Sequence, residues 1–431
     1  MLVGLYAAGD LEEPDLSLDE LASLVDAAGG VVVGRSFQRR QPTKDGDVVA
    51  MSAATYIGKG KAQHVASLVQ DLEANVVVFD NELTPAQIRE LEKLMGCKVI
   101  DRSELILDIF AGRARTREAR LQVELAQLEY TAPRLRGMWT HLERQAGTGG
   151  SSVGLGMKGP GEKQIEIDRR IVKSRITKLQ TELETIHGRK QREVQSRIAN
   201  AFTVGLVGYT NAGKSTLMNA LTDAGTYQAD QLFATLDTKT RQWKLGSGPA
   251  VALSDTVGFV RRLPHHLIAS FRATLEEALN ADLLLHVIDA SHPQAFDQIT
   301  AVERVLAELG CELGRVIPVL NKVDAIADPD ALVGLRARMH GAISISARTG
   351  AGLDLLTADV ARRRSATWVN VRVSSPASNG KVQAVARSRG CIIEERFDDD
   401  RWIASLELSR ADLPALRGAG AGDLDIEIVS G

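Results

Sequence analysis

The chain has 431 residues, of which 44% are hydrophobic and 25% are charged, and its formal net charge is -3. These values exclude a largely disordered chain, and the length predicts two to four globular domains. No apolar run approaches the roughly 18 residues that span a bilayer, so we expect a cytoplasmic protein without an integral membrane segment, although peripheral membrane association remains open.

The first 112 residues alternate short β-branched runs with helical periodicities. This alternation is typical of a layered α/β structure, so residues 1–112 are expected to form an N-terminal α/β domain. Strands are predicted at Leu2–Tyr6, Val31–Gly34 and Val76–Phe79, and helices at Leu18–Ala28, Lys61–Ala74 and Pro85–Leu94.

Within this region, the segment Tyr56–Lys61 has the sequence YIGKGK and leads into a predicted helix. Its glycines and lysines can bring backbone amides and positive charge to a phosphate. A flexible turn followed by a basic helix start explains the same residues, and both interpretations remain open.

Residues 113–200 are expected to form an antiparallel helical hairpin. Two stripes of apolar or small residues recur at steps of three and four, which is the spacing of helices that pack along their length. The stripes are Leu121, Leu125, Leu128, Ala132, Leu135, Trp139 and Leu142, then Val172, Ile176, Leu179, Leu183 and Ile186. Pro133 is expected to kink or break the first arm.

A glycine-rich loop, residues 146–161, joins the two arms. Seven of its sixteen residues are glycine, so we expect it to become ordered only when a partner holds it. Leu155, Met157 and Lys158 at its tip favour a binding role over a simple spacer.

The hairpin region is basic, whereas the rest of the chain is acidic. Residues 111–200 contain 18 lysines and arginines against 10 aspartates and glutamates, a net charge of +8 that leaves -11 for the remainder. A polyanion such as RNA would fit this charge, and solvated basic helix faces would also account for it.

The last two regions also alternate strands and helices. In residues 201–365 this pattern predicts a mostly parallel sheet wrapped by helices, with strands at Phe202–Val207, Ala250–Leu253, Leu283–Ile288, Val316–Leu320 and Ile343–Ile345. Helices are expected after Lys214 and around residues 267–279, 296–309 and 353–362. Residues 366–431 read strand, helix, strand, strand, helix, strand, which predicts a small split βαβ sandwich.

The segment Gly208–Ser215, with the sequence GYTNAGKS, lies between a predicted strand and a predicted helix. This is the context of a phosphate-binding loop, or P-loop, whose glycines let backbone N–H groups point into one concavity. Lys214 would reach the terminal phosphates, and the hydroxyl of Ser215 is placed to bind Mg²⁺. The sequence therefore predicts a nucleotide bound with Mg²⁺.

Three further motifs narrow the nucleotide to GTP or GDP. The motif DTVG at residues 255–258 places the Asp255 carboxylate near the metal as an outer ligand and the Gly258 amide near the γ-phosphate. In NKVD at residues 321–324, the Asp324 carboxylate can accept from both the ring N–H and the exocyclic amine of guanine. In SAR at residues 346–348, a backbone N–H can meet the guanine O6.

Three single residues refine the predicted chemistry. Thr235 is the candidate to complete the metal shell and to sense the γ-phosphate, with Thr238 and Thr240 as competitors. Phe259 occupies the position of the water-orienting glutamine in Ras-like enzymes, so it predicts slow, partner-dependent hydrolysis or simply packs under the switch. Asn211 favours either a bound potassium ion or an ordinary turn.

Together these motifs resemble those of the HflX family of translational GTPases over nearly the whole chain. The resemblance rests on the P-loop, on Phe233–Asp237, Asp255–Phe259 and Asn321–Asp324, and on the glycine-rich segment Gly154–Glu162 leading into Asp168–Arg170. It implies an N-terminal α/β domain (1–112), a hairpin (113–200), a P-loop GTPase domain or G domain (201–365) and a small C-terminal α/β domain (366–431).

Members of this family bind the ribosome, chiefly the 50S subunit with its 23S rRNA, and use GTP to separate the subunits of stalled or idle ribosomes. The resemblance implies that the hairpin loop reaches toward the peptidyl-transferase region. The resemblance also implies that the N-terminal domain handles ATP, and Gly58–Lys61 is the segment of this sequence that could contact its phosphates.

The predicted site residues form three groups. Nucleotide contacts are Gly208, Tyr209, Thr210, Asn211, Ala212, Gly213, Lys214, Ser215, Thr216, Phe233, Ala234, Thr235, Leu236, Asp237, Asp255, Thr256, Val257, Gly258, Asn321, Lys322, Asp324, Ser346, Ala347 and Arg348. The predicted catalytic residues are Lys214, Thr235 and Gly258, and the Mg²⁺ ligands are Ser215, Thr235 and, as an outer ligand, Asp255. Ribosome contacts are expected at Gly154, Leu155, Gly156, Met157 and Lys158.

Two other functions remain open at this point. A ribosome-assembly or RNA-modification GTPase would bind a single RNA, and a nucleotide-gated hibernation factor would tether ribosomes with negligible hydrolysis. The expected reaction is in-line attack of water on the γ-phosphate, after which the segments around Thr235 and Gly258 would be released.

Overall fold

The computed structural model describes residues 1–6, 14–39, 52–138, 170–186, 188, 202–222, 239–245, 250–255, 258–260, 281–326, 329–420 and 423–429. The chain divides into two compact units, the first built mainly from Met1–Glu184 and the second mainly from residues after that point. Each unit has an α/β architecture.

A parallel sheet forms the centre of the first unit. Its described strands have the order β2-β1-β3-β4. The elements are β1 (Leu2–Tyr6), α1 (Pro14–Ala27), β2 (Arg35–Arg39), α2 (Lys59–Asp71), β3 (Val76–Phe79), α3 (Pro85–Met95), β4 (Lys98–Asp101) and α4 (Arg102–Arg113). The sheet and α2 enclose a core that includes Val3, Val65, Val77 and Phe79.

Two predictions for this unit differ from the structure. The strand expected at Val31–Gly34 is wrong, because Val31 is 82% exposed and the strand begins only at Arg35, where Ser36 is buried and Phe37 is half-buried. The pair β4 and α4 was not predicted, because the buried strand is only four residues long and runs directly into its helix.

Buried ion pairs fasten α4 and the following helix α5 (Arg117–Met138) to the sheet. Arg102 of α4 donates to Asp80 at 2.7 Å, at the end of β3. Asp101 at the end of β4 accepts hydrogen bonds from Tyr130 Oη at 2.7 Å and from Arg134 at 2.9 Å. Both acceptor carboxylates are fully buried, so these contacts fix where the helical arm leaves the domain.

The helical hairpin is present in the first unit. The second arm, α6, comprises residues 170–186 and packs on α5 through Leu125, Leu179 and Leu183. Ion pairs Arg117–Glu182 at 2.6 Å and Arg175–Glu124 at 2.7 Å show that the arms are antiparallel, as predicted. The glycine-rich loop, with Trp139 and Leu142 before it, lies outside the described residues.

The helix does not break at Pro133, because α5 continues through it to Met138, whereas the kink expected there as the alternative stays a prediction. Arg134 explains the continuity: its guanidinium donates to the carbonyl of Tyr130 at 3.0 Å and to Asp101 at 2.9 Å. These tertiary contacts hold the turn that contains the proline and so offset the loss of its backbone hydrogen bond.

A second sheet, in the second unit, has the described strand order β10-β9-β8-β5-β7-β6, and all its pairs are parallel except β6 with β7. Its elements are β5 (Thr203–Gly208), α7 (Lys214–Leu221), β6 (Lys239–Trp243), β7 (Val251–Asp255), β8 (Leu283–Asp289), α8 (Ala295–Glu308), β9 (Val316–Asn321), α9 (Pro329–Arg338), β10 (Ile343–Ser344) and α10 (Leu353–Thr367). The mostly parallel sheet matches the prediction, whereas β6 and α9 were not predicted. The helix expected around residues 267–279 lies outside the described residues.

An antiparallel sheet of described strand order β12-β13-β11-β14 completes the second unit. Its elements are β11 (Trp368–Pro376), α11 (Gly380–Arg389), β12 (Gly390–Asp398), β13 (Arg401–Ser409), α12 (Leu413–Ala419) and β14 (Asp425–Val429). Val382 of α11 and Leu416 of α12 pack on the strands, which gives the predicted split βαβ sandwich.

The two sheets of the second unit meet without an intervening loop. Helix α10 ends at Thr367 and β11 begins at Trp368, whose ring packs edge-on against Phe202 with the ring centroids 6.4 Å apart. Arg364 of α10 forms a buried ion pair with Glu407 of β13. Trp368 therefore belongs to the core of the preceding sheet although it opens the last one.

Candidate functional site

The predicted P-loop connects the central strand β5 to α7. It begins at Gly208, where φ is +149° and an added Cβ would lie 2.2 Å from the carbonyl oxygen of Val287. It ends at Gly213, where φ is +92° and an added Cβ would lie 2.3 Å from Asn321 Nδ2. Only glycine fits both positions, so the two motif glycines are explained by close backbone approach.

Lys214 is buried beneath this loop. Its ammonium group donates to the backbone carbonyls of Gly208 at 2.9 Å and Tyr209 at 2.8 Å. Burial lowers the pKa of Lys214 to about 8, against the opposing attraction of Asp255. The side chain is thus held inside the loop, as expected of a cation that is placed to meet phosphate oxygens.

Ser215 and Asp255 meet next to the lysine. The Ser215 hydroxyl donates to Asp255 Oδ2 at 2.6 Å, and the carboxylate is fully buried at the end of β7. A hydroxyl and a carboxylate are the hard oxygen ligands that Mg²⁺ prefers, so the donor set fits this ion. Thr235, the third predicted ligand, lies outside the described residues, as do Phe233, Ala234, Leu236, Asp237, Thr256 and Val257.

The residues after the DTVG motif are joined to the P-loop by backbone hydrogen bonds. Phe259 N–H donates to the carbonyl of Gly208 at 3.1 Å, and Thr210 N–H donates to the carbonyl of Phe259 at 2.7 Å. Gly258 lies so close that an added Cβ would be 2.7 Å from Thr210 Cγ2 and 3.0 Å from Lys214 Nζ. Gly258 therefore approaches the side chains of Thr210 and Lys214 closely.

The Phe259 side chain packs beneath this segment. It is 3% exposed and belongs to an apolar cluster with Val207, Tyr209, Leu284 and Val302. An apolar ring in this position cannot orient a water molecule, and its environment explains why an aromatic residue is tolerated there. The packing interpretation is therefore observed, whereas slow hydrolysis stays a prediction.

Asn321, at the end of β9, joins the P-loop to the SAR segment. Its Nδ2 donates to the carbonyl of Ala212 at 2.8 Å, and its Oδ1 accepts from the backbone N–H of Ala347 at 2.9 Å. Asn321, Ala212 and Ala347 are all buried. The P-loop, the end of β9 and the SAR segment are therefore held together by contacts within the protein itself.

Lys322 and Asp324 occupy the outer part of the same edge. Lys322 has φ +62° and its Nζ pairs with Asp289 Oδ2 at 2.7 Å. Asp324 is exposed, and a hydrogen bond with Ser346 is the first cause that holds the pKa of its carboxyl below the usual value. An exposed, ionised carboxylate is suited to accept the two N–H groups of guanine.

Asp289 and Ser291 were not predicted from the sequence. Asp289 Oδ1 accepts from the backbone N–H of Ser291 at 3.0 Å and from its hydroxyl at 2.6 Å, which orients the other oxygen toward Lys322. The sequence carried a signal for Asp289, because this carboxylate ends the buried strand β8, at the same carboxyl edge of the sheet as the predicted motifs.

His286 is a third residue near the site that was not predicted from the sequence. It lies within β8 and is 2% exposed. Burial, followed by the nearby charge of Lys214, lowers its pKa to about 4, so the imidazole is neutral at physiological pH.

Several predicted residues stay predictions. Asn211 and Thr216 are exposed on the P-loop and α7, and Arg348 is exposed beyond Ala347, so no contact within the described part of the protein assigns them a role at the nucleotide. In YIGKGK, the Gly58 N–H already donates to Gln38 Oε1 at 3.0 Å, which favours the turn interpretation. Residues 154–158, the expected ribosome contact, lie outside the described residues.

Within the described ranges, no helix is both long and apolar enough to traverse a bilayer. The same ranges contain no group of three or more His, Cys, Asp or Glu side chains arranged to hold a metal ion.

Three protein families match successive parts of the chain. Residues 15–111 match the family described as GTP-binding GTPase N-terminal, and residues 113–197 match the GTP-binding GTPase middle region. Residues 203–322 match the family described as 50S ribosome-binding GTPase.

Relatives that align over most of the chain include proteins named GTPase HflX. The GTPase HflX of Lacrimispora saccharolytica is 44% identical over 397 residues, covering 91% of this chain and 90% of its own length. The GTPase HflX of Escherichia coli is 42% identical over 410 residues, covering 94% and 92%. Among solved structures, a GTP-binding protein from the archaeon Sulfolobus solfataricus in complex with GDP is 25% identical, with 84% and 97% covered and a TM-score of 0.41.

Proposed function

The chain belongs to the HflX family of GTPases, and from that membership we propose that it binds the 50S subunit and uses GTP to separate stalled or idle ribosomes into subunits. The enzymatic reaction is hydrolysis of GTP to GDP and phosphate. The observation that best supports GTP binding is the pair of hydrogen bonds by which Asn321 joins the P-loop to the SAR segment.

The proposed chemistry uses residues at the carboxyl edge of the central sheet. Lys214 offsets charge on the γ-phosphate as water attacks in line, and the Gly258 amide donates to the same phosphate. Ser215 and Thr235 would hold Mg²⁺, with Asp255 as an outer ligand, and the ion would supply further charge neutralisation at the phosphates. A potassium ion beside Asn211 remains part of the proposal.

Guanine selectivity is assigned to Asp324. Its ionised carboxylate would accept the ring N–H and the exocyclic amine, whereas adenine offers no such pair. Lys322, held by Asp289, would lie along the base, and the backbone N–H groups of residues 346–348 would meet O6. Adenosine nucleotides at the N-terminal domain stay a prediction that rests on Gly58–Lys61 alone.

The partner is assigned from charge and from the family description. The matching family is described as 50S ribosome-binding GTPase, and the hairpin region carries a net charge of +8, which suits 23S rRNA. We propose four domains, 1–112, 113–200, 201–365 and 366–431, with residues 154–158 as the ribosome contact. Cytoplasmic location follows from the proposed partner.

Co-sedimentation tests the proposal. The protein is centrifuged through a sucrose cushion with purified ribosomes, with 50S subunits, or with single rRNA and tRNA species, each with GDP or a non-hydrolysable GTP analogue. The proposal expects binding to the 50S subunit and a rise in free subunits with the analogue. Binding to one RNA alone would instead indicate an assembly or modification enzyme, and intact ribosomes bound without turnover would indicate a hibernation factor.

Two variants locate the activity within the chain. Deletion of residues 147–161 is expected to abolish subunit separation while GTP binding persists, because the P-loop is untouched. Lys214→Ala is the matched control, since it removes nucleotide binding and leaves the loop intact. If the deletion variant separated ribosomal subunits normally, the loop would be only a spacer between the two helices.

A further inference from the structure

The junction between α4 and α5 carries a dense group of arginines outside the nucleotide site. Residues 113–120 have the sequence RARTREAR, with four arginines and one glutamate. Arg113 ends α4, Arg115 lies between the helices, and Arg117 and Arg120 belong to the start of α5. Arg113, Arg115, Arg117 and Arg120 together form the arginine junction.

The four arginines are carried by one helix junction, and one of them folds back onto it. Arg120 Nε donates to the carbonyl of Ala114 at 3.3 Å, so its guanidinium folds back toward the turn that carries Arg113 and Arg115. Arg117 pairs with Glu182 of α6 at 2.6 Å. In the part of the chain that the structure describes, no ion pair involves Arg113, Arg115 or Arg120, and the last two are exposed. The junction therefore has a surplus of positive charge.

The positive charge at the start of α5 does not stabilise that helix, whereas Arg113, in the last turn of α4, has the sign that the dipole of its own helix favours. Cations at a helix N-terminus oppose the helix dipole. Thr116 already caps α5, because its hydroxyl accepts from the backbone N–H of Ala119 at 3.1 Å. Arginines at these positions are therefore better explained by an external anion than by local stability.

The chemistry of the surface indicates phosphate groups on a nucleic acid. A guanidinium presents a planar fork that matches phosphate oxygens. Segments that lie on membranes place exposed apolar residues beside their basic ones. Among the described residues, no large hydrophobic side chain is exposed between Leu94 and Ile171. A lipid surface therefore fits the junction less well than RNA does.

We propose that the arginine junction binds the phosphate backbone of ribosomal RNA, at a contact separate from the glycine-rich loop. The identity of the RNA rests on the proposed ribosome function, whereas the requirement for polyphosphate rests on the junction itself. Because such contacts displace counterions, they have a measurable salt dependence.

The test compares Arg115→Ala/Arg120→Ala with Arg115→Lys/Arg120→Lys. The matched control is Arg304→Ala/Arg362→Ala, which removes two arginines of α8 and α10 that are 78% and 71% exposed. Affinity for purified 50S subunits, with a non-hydrolysable GTP analogue, is measured between about 50 and 200 mM KCl. GTP binding and thermal unfolding are measured on each variant to exclude misfolding.

The alanine variant is expected to bind about tenfold more weakly, with a log affinity against log salt slope shallower by about 1.5, since two phosphate contacts are lost. The lysine variant should keep the slope, and the control should match the wild type. Wild-type affinity and slope in the alanine variant would overturn the proposal. So would an equal loss in the control, or an arginine-dependent effect seen on phosphatidylserine vesicles but not on RNA.

A duplex RNA of about 20 base pairs separates the two proposals from each other. If the wild type ignores 50S subunits but binds the duplex with a slope that depends on Arg115 and Arg120, ribosome binding fails and the arginine junction stands. If the wild type binds 50S subunits and the alanine variant binds them equally well, the junction fails and ribosome binding stands.

Discussion

The side-chain amide of Asn321 donates to the backbone carbonyl of Ala212 across 2.8 Å, although the two residues are 109 positions apart in sequence. The same side chain accepts from Ala347. The loop that would bind phosphates and the segment that would bind guanine therefore share one buried side chain.

Asn321→Ala is expected to weaken GTP and GDP binding together and to lower the free energy of unfolding by about 1–3 kcal/mol, because a buried carbonyl and a buried N–H lose their partner. Titration with fluorescent nucleotides and urea denaturation measure the two effects. Asn321→Asp is a companion variant: it keeps an acceptor for Ala347 but buries a carboxylate against the carbonyl of Ala212, so it should be destabilised at least as much as Asn321→Ala. An unchanged unfolding free energy in Asn321→Ala would contradict the account.

Asp289→Asn is expected to raise the Kd of GTP and of GDP by about tenfold, because the charge-assisted hydrogen bond that positions Lys322 is weakened. Equal effects on both nucleotides are required, since Lys322 would act at the base and not at the γ-phosphate. Ser291→Ala, which loosens Asp289 without removing its charge, should give a smaller change. A loss confined to GTP would refute this role.

The pKa of Lys214, lowered by burial to about 8, predicts opposite pH effects on stability and on binding. Between pH 8 and the ordinary lysine value of 10.5 the unfolded chain holds the extra proton, so this group's contribution to stability rises with pH. Nucleotide phosphates favour the charged form, so GDP affinity should fall above pH 8, with proton uptake on binding.

Calorimetry in two buffers of different ionisation enthalpy measures that uptake. It should approach one proton near pH 9 and be small at pH 7, where Lys214 is already charged in the free protein. Equal uptake at the two pH values would show that Lys214 is not the titrating group.

Phe259→Gln is expected not to accelerate intrinsic GTP hydrolysis, although it restores the Ras-like residue. The two backbone hydrogen bonds of Phe259 hold its side chain in the apolar cluster, where a glutamine amide would be buried. Burial of that amide should instead destabilise the protein by about 1–3 kcal/mol. Single-turnover hydrolysis and thermal unfolding are compared with Phe259→Leu, and faster hydrolysis by the glutamine variant would show that the segment can turn outward.

Arg364→Ala is expected to destabilise the protein by about 3–5 kcal/mol, because it leaves Glu407 as a buried, unpaired carboxylate. Burial already raises the pKa of Glu407 despite Arg364, and loss of the arginine would raise it further. Protonation then relieves the buried charge, so the destabilisation should be smaller at pH 4.5 than at pH 7. Urea denaturation at both pH values checks this, with Arg364→Met/Glu407→Leu as a milder control; a loss independent of pH would exclude the charge as its cause.

The sequence predicted the fold class and the order of most elements because their signals are local. The apolar run before Gly208 and the strand–helix alternation after it identify a P-loop sheet without tertiary information. Strand β6 was missed because Lys239–Trp243 is largely polar and exposed, and it pairs only at the edge of the sheet. The run Val31–Gly34 was misassigned because β-branched residues favour strands only where a sheet can bury them.

The candidate site shows the same division between local and distant information. The motifs at Lys214, Asp255 and Asn321 could be identified by spacing, and the structure brings these residues together at one edge. The support of Lys322 by Asp289, and the burial of Phe259 against Leu284, depend on neighbouring strands that are distant in sequence. Such contacts are set by sheet order, which one sequence does not specify.

The position of Trp368 limits where the chain can be shortened. A G domain that ended at residue 365 would lose the indole that covers Phe202 and would expose apolar surface at the base of its central strand. A shortened protein that retains Trp368 would keep that ring but still leave Arg364 without Glu407. The free energy of unfolding measured on an isolated G domain would therefore include the loss of these boundary contacts, and it would underestimate the stability of the same domain in the full chain.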